Sequence, residues 1–242
     1  MGSGLFITGT DTGVGKTLVA CGLAAVLRDW GYRVGVMKPA ETGCEEKDGK
    51  LFPQDAFYLK QASGCEEPLE RICPYRLRDP LAPSGAAARQ EIVIDVSLLA
   101  ETYREISSAH DVTIVEGAGG LLVPLLPHYT YAELARLLKL PILVVAANRL
   151  GAINHLLLTL EHASCRELRV IGYVWNCLDE SPSLAAQTNA DALLSLTAVS
   201  RLGEIPFLGP GRIDWAARDS EFLAALFEDK LSLKLVQSAI SL

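Results

Sequence analysis

The segment that most restricts what this chain can fold into is Gly9-Thr10-Asp11-Thr12-Gly13-Val14-Gly15-Lys16-Thr17. The apolar run Leu5-Phe6-Ile7 precedes it. Leu18-Val19-Ala20-Cys21-Gly22-Leu23-Ala24-Ala25-Val26-Leu27, with the length and composition of a helix, follows. Strand, glycine-rich loop, Lys-Thr and helix is the layout of a phosphate-binding loop. A helix start offers unpaired N–H groups and partial positive charge, so it holds anionic oxygens. Glycines let the backbone close around those oxygens without side-chain clash. Lys16 would place a point charge between β- and γ-phosphates, and Thr17 would offer a hydroxyl to Mg²⁺. The spacing departs from the common pattern, because Gly9 precedes Gly15 by one residue more and Thr10 stands where the first glycine belongs. The plainer alternative is a strand-to-helix turn whose glycines only shape the turn. The flanking strand and helix, with Gly15-Lys16-Thr17 intact, favour phosphate binding.

The rest of the chain alternates between two periodicities. Near-continuous apolar runs predict strands over Leu5–Thr8, Val34–Lys38, Val112–Glu116, Ile142–Ala147, Val170–Asn176 and around Leu202–Ile205. Helices are predicted near Lys16–Trp30, Asp55–Gln61, Asp95–Ala109, Tyr131–Leu138, Ala152–His162 and Leu184–Leu196. Such alternation specifies a three-layer α/β fold, a mostly parallel sheet flanked by helices, read here as one unit over residues 1–242. Cys65 to Arg89, rich in Pro, Gly and charge, reads as a long loop serving as a lid or substrate wall. The apolar residues spaced along Glu221–Leu242 predict a C-terminal helix packed on its own domain, with a partner-binding helix as the alternative.

Composition narrows the function classes. A net charge of -7 and a pI near 5.2 argue against a nucleic-acid or membrane-surface binder. No apolar stretch reaches the ~18 residues of a membrane span, and no secretory signal is read at the N-terminus. The six cysteines form no Cys-x-x-Cys pair and have no histidine at metal spacing. They are expected to be free thiols in a cytoplasmic protein.

In parallel sheets of this kind ligands gather beyond the C-terminal strand ends, and the remaining candidates fall there. Lys38, at the end of the second strand, is either a solvated terminus or a cation aimed over the sheet edge at the phosphate loop. Thr42 and Gly43 lie just beyond it. Glu116 ends an apolar strand before Gly117-Ala118-Gly119-Gly120, so it sits at a wet strand end or is bound to something. Asp55 is either a second metal ligand or a first-turn acid favouring the helix dipole. Asn176, ending another strand, suits the edge of adenine or simply a turn. Gly151-Ala152-Ile153-Asn154 starts a helix that would hold an anion, or Asn154 merely caps it.

Together these segments resemble the dethiobiotin synthase family, ATP-dependent enzymes of the P-loop NTPase fold. The likeness runs from Gly9 to about Leu208. It rests on Thr8 to Thr17, Lys38-Pro39 with Thr42-Gly43, Val115-Glu116-Gly117-Ala118-Gly119-Gly120, Leu150-Gly151 with Ile153-Asn154-His155, and Gly203-Glu204-Ile205-Pro206. The longer phosphate loop is the form that family uses. The resemblance implies that 7,8-diaminopelargonate and CO₂ become dethiobiotin at the expense of ATP, with Mg²⁺. By resemblance Lys16 and Lys38 are catalytic, and Thr17, Asp55 and Glu116 hold Mg²⁺. Thr12, Gly13, Val14, Gly15, Gly117, Ala118 and Gly119 join the nucleotide site, with Asn176 and Pro206-Phe207-Leu208 as adenine walls. Thr12, Lys38, Thr42 and the helix start from Gly151 to Asn154 meet the substrate, the last from the partner chain of a homodimer. The chain departs from some relatives at Gly13, where they carry an acid. It departs again in Gly209-Pro210-Gly211-Arg212-Ile213, where no ribose-binding acid is found. A related regulatory ATPase is disfavoured because no second lysine precedes Lys16 in the loop. A non-catalytic nucleotide sensor is disfavoured by retention of Lys38, Asp55 and Glu116. An amidating synthetase would need a glutaminase domain, for which 242 residues leave no room, and Gly-Lys-Thr has no place in a nicotinamide fingerprint.

Overall fold

A computed structural model describes residues 3–209 and 219–240. The segment around Ile213 therefore lies outside the described residues. The chain begins β1 (Ser3–Gly9), α1 (Lys16–Asp29), β2 (Val34–Met37), β3 (Ala40–Thr42), β4 (Glu45–Lys47) and β5 (Lys50–Phe52). It continues α2 (Gln54–Ser63), α3 (Leu69–Ile72), β6 (Tyr75–Leu77), α4 (Pro83–Arg89) and α5 (Val96–Ala109). Next come β7 (Val112–Gly120), β8 (Pro124–Leu126), β9 (Tyr129–Thr130), α6 (Tyr131–Leu138), β10 (Ile142–Ala147) and α7 (Ala152–Cys165). The last elements are β11 (Val170–Asn176), α8 (Leu184–Leu193), β12 (Arg201–Ile205), α9 (Ser220–Lys230) and α10 (Lys234–Ile240).

Six strands form one parallel sheet in the order β12-β11-β10-β1-β7-β2. β1 lies inside the sheet, and the chain winds from it first toward β2 and later toward β10. Its C-terminal end is thus the point where the winding reverses, where doubly wound sheets bind ligands. Alternation along the strands divides the core. Leu5 and Ile7 face one apolar layer with α1, α2, α9 and α10, whereas Phe6 faces the other with α5, α6 and α7. The predicted three-layer fold is borne out.

Three expectations are corrected. Cys65–Arg89 is not one loop: β6 pairs in parallel with β3, and Pro83 starts α4, whose Ala86 and Ala87 are buried. Proline in the first turn loses no helical hydrogen bond, so it begins a helix that composition alone reads as loop. β7 does not stop at Glu116. Its pairing with β1 shifts register between Ile7 and Gly9 and resumes at Gly120, so the glycines continue the strand through an irregularity. The C-terminal segment is two helices. Phe227 of α9 is fully buried against Gly22 of α1, leaving no room there for a Cβ.

Candidate active site

The loop from Thr10 to Gly15 leaves β1 with Thr10 N–H donating to Val145 O. It turns into α1 through two left-handed glycines, Gly13 (φ 74°) and Gly15 (φ 93°). Gly15 is required twice, because a Cβ there would also collide with the Asn176 amide. Lys16 is buried and folds back to donate from Nζ to Asp11 O at 3.0 Å. Burial and then the nearby Lys38 charge push its pKa down to about 8.

Lys38 follows β2 directly and is 3% exposed. Its Nζ donates to Glu116 Oε1 at 2.6 Å and to Asp55 Oδ2 at 2.7 Å. The Thr17 hydroxyl donates to the same Glu116 oxygen at 2.9 Å. Glu116 is fully buried, and burial raises its pKa against the opposing charge of Lys38. Asp55, in the first turn of α2, also feels burial, yet Lys38 holds its pKa below the usual carboxylate range. Lys38 is therefore no solvated terminus: its ammonium is buried between two carboxylates at the floor shared with the phosphate loop. Four chain segments meet here, and a cleft of about 590 Å³ opens over them. Thr12, Gly13, Gly15, Glu41, Thr42, Ala118, Gly119 and Val123 line it with these five residues, and Pro80 to Pro83 complete the wall.

The donor set suits a small hard cation. Asp55, Glu116 and Thr17 present only oxygens, and Glu116 Oε2 is buried without a hydrogen-bond partner. Lys38 shows that positive charge is welcome between the carboxylates. Among the described residues no cluster of three His, Cys, Asp or Glu side chains forms a closed metal cage. A bound Mg²⁺ would therefore draw its other ligands from phosphate and water, its usual habit.

Other expected residues lie apart. Pro206, Phe207 and Leu208 line a second cavity of about 330 Å³ with Cys177, Asp179, Glu180 and Glu204. Asn176 is buried beside the phosphate loop; its Nδ2 donates to Val14 O at 3.0 Å, and its Oδ1 is buried without a partner. Val14 and Gly117 are both buried behind the cleft rather than on its wall. Gly151 (φ 87°) begins α7 without a side-chain cap, so Asn154 does not cap it. Gly151, Ala152, Ile153 and Asn154 line neither cavity. All six cysteines are free. No helix among the described residues is long and apolar enough to cross a membrane.

Sequence reasoning passed over two buried polar residues. Glu41, on β3, accepts from the backbone N–H groups of Asp55 and Ala56, and burial raises its pKa to about 7. Its signal was an acid between Ala40 and Thr42, three residues after a lysine already singled out. Asn148, after β10, donates to Ala186 O and Glu204 Oε2 and accepts from Asn189. It ends an apolar strand as Asn176 does, which was the available signal.

Comparison with known proteins is consistent across sequence and structure. A family model described as an AAA domain matches residues 3–210. The ATP-dependent dethiobiotin synthetase BioD of Anaeromyxobacter dehalogenans is 43% identical, covering 84% of this chain and 90% of the relative. Proteins of the same name from Thermodesulfovibrio yellowstonii and Bacillus licheniformis are 38% and 42% identical over 86% and 85% of the chain, and 90% and 86% of their own lengths. The cell division ATPase MinD of Pyrococcus furiosus superposes with a TM-score of 0.53 at 16% identity, over 95% of this chain and 98% of that one. The MinC:MinD complex of Aquifex aeolicus gives 0.56 at 14% identity, over 88% and 84%. At such identities these solved structures share the fold alone.

Proposed function

The chain belongs to the ATP-dependent dethiobiotin synthetase family, and on that premise we propose how its residues close a ureido ring on 7,8-diaminopelargonate. CO₂ adds to one amine with loss of a proton, giving a carbamate. The carbamate oxygen takes the γ-phosphoryl group of ATP, releasing ADP. The second amine attacks the carbonyl carbon, the C–O bond to phosphate breaks, and dethiobiotin and phosphate leave.

The single observation carrying this reading is the convergence of Lys16, Thr17, Lys38, Asp55 and Glu116 from four chain segments under one cleft. Gly13, Gly15 and the start of α1 cradle the phosphates through backbone N–H groups. Lys16, freed from Asp11 O, follows the charge on the transferring group. Lys38 turns its ammonium to the carbamate, and preorganised positive charge of this kind lowers the barrier most where charge gathers. Thr17, Asp55 and Glu116 hold Mg²⁺, which when bound neutralises phosphate charge. Thr12 and Thr42 contact the substrate near the carbamate, and Ala118 and Gly119 close the cleft beside it. The 330 Å³ cavity under Pro206-Phe207-Leu208, with Asn176 behind it, takes the adenine. The substrate's carboxylate reaches Gly151–Asn154 of a second copy, so the working unit is a homodimer in the cytoplasm. The described chain is one ATP-dependent ring-closing unit.

The test is incubation with 7,8-diaminopelargonate, bicarbonate, Mg²⁺ and ATP, with product read by mass spectrometry. Dethiobiotin formed in step with ADP supports the reading. ATP hydrolysis without dethiobiotin would instead favour a nucleotide switch.

A further inference from the structure

We infer that Glu41 is a positioning residue that holds Asp55 in place for the divalent cation. This rests on the proposed role of Asp55 as a metal ligand. α2 has no cap of its own, because the residue before it is Pro53, which offers no side-chain acceptor. Glu41 supplies the cap from another element. Its Oε1 accepts from Asp55 N–H at 2.9 Å and its Oε2 from Ala56 N–H at 3.1 Å. A side chain whose two oxygens both accept from a helix start satisfies two of its free N–H groups and fixes the direction of its first turn.

Asp55 needs such an anchor more than Glu116 does. The Glu116 side chain is wholly buried, whereas that of Asp55 is 37% exposed. Lys38 and Thr17 bond its carboxylate from the site side. Glu41 lies on β3, three residues after Lys38, and β3 is tied down by pairing with β6. One side chain thus joins the strand segment carrying the catalytic lysine to the helix carrying the metal ligand. Rotation of the first turn of α2 would carry the Asp55 carboxylate away from Glu116 and Thr17. Partners of this supporting kind typically set metal affinity by about 10- to 100-fold.

The test uses Mn²⁺ as the probe, with the full-length protein saturated with ADP and binding read by water-proton relaxation. Glu41→Ala is expected to weaken Mn²⁺ binding about 10- to 100-fold. Glu41→Gln, which keeps one acceptor oxygen, falls between it and the parent. Affinity for metal-free ADP, measured by calorimetry in EDTA, stays at the parent value in both. Asp55→Asn is the control and weakens Mn²⁺ on its own. If Asp55→Asn weakens Mn²⁺ while both Glu41 variants match the parent, the positioning role is overturned and the metal site stands. If Asp55→Asn has no effect, the metal assignment itself fails. A loss of metal-free ADP affinity equal to the loss of Mn²⁺ affinity also overturns the inference, since Glu41 would then support the whole cleft. Should Glu41→Ala not fold, Glu41→Gln carries the same comparison.

Discussion

Replacing Lys38 by methionine removes the ammonium while keeping its apolar length. Lys38 and Glu116 are buried with Nζ and Oε1 2.6 Å apart, so the change strands a carboxylate in the interior. Breaking a buried pair from one side costs about 3–5 kcal/mol, chiefly the desolvation of the abandoned charge. Asp55, more than a third exposed, adds little because water screens it. For a chain of this size each kcal/mol lowers the midpoint by about 2–4 °C, so the metal-free variant should melt about 6–20 °C below the parent. The pH dependence carries a definite sign. Burial already raises the Glu116 pKa and Lys38 opposes it, so without Lys38 the pKa climbs further. A carboxyl with a raised folded pKa keeps its proton longer in the folded state than in the unfolded one. Its stabilising contribution is therefore full below the unfolded value of about 4.3 and is lost as pH rises toward the folded pKa. The gap between variant and parent should be wide near pH 8 and narrow toward about pH 5. Scanning calorimetry in EDTA at both pH values measures it. A variant within about 2 °C of the parent at the higher pH, or a gap that does not change with pH, refutes the reasoning.

Lys16→Ala should reduce turnover by about 10²–10³ while the protein stays folded, checked by steady-state release of ADP; near-normal turnover removes Lys16 from the phosphate site. Chains carrying Lys16→Ala and chains carrying Asn154→Glu should be inactive alone and recover activity when exchanged into mixed dimers. Verified mixed dimers without recovery would place the whole site within one chain. Gly22→Leu should destabilise by about 1–3 kcal/mol, because Phe227 fills the space, although helix propensity alone favours leucine by about 0.8 kcal/mol. Denaturant melts settle the sign, and adding Phe227→Ala should restore part of the loss.

The sheet and its flanking helices were legible because periodicity and strand-end residues are local signals. Lys16, Thr17, Lys38, Asp55 and Glu116 were legible because each sits at a junction between strand, loop and helix. What the chain concealed depends on contacts across sequence. β6 is a strand only because β3 lies beside it. β7 passes Glu116 because β1 accepts the glycines after a register shift, which no composition rule predicts. Glu41 reads as an ordinary loop acid until the first turn of α2 is brought to it. Cys65–Arg89 misled because Pro83 stands in the first turn of α4, where a helix tolerates proline.

The bonds among the five site residues also order events in time. The Thr17–Glu116 bond closes a separation of 99 residues and the Lys38–Glu116 bond one of 78. β7 sits between β1 and β2, so neither strand has its inner neighbour until β7 arrives. A chain emerging from the ribosome therefore displays both lysines and the phosphate loop long before it can assemble them. Long-range closures of this kind come late and slowly in folding. Nucleotide affinity thus becomes a report that synthesis has passed β7, and a truncated chain lacking β7 has the loop sequence without a site to put it in.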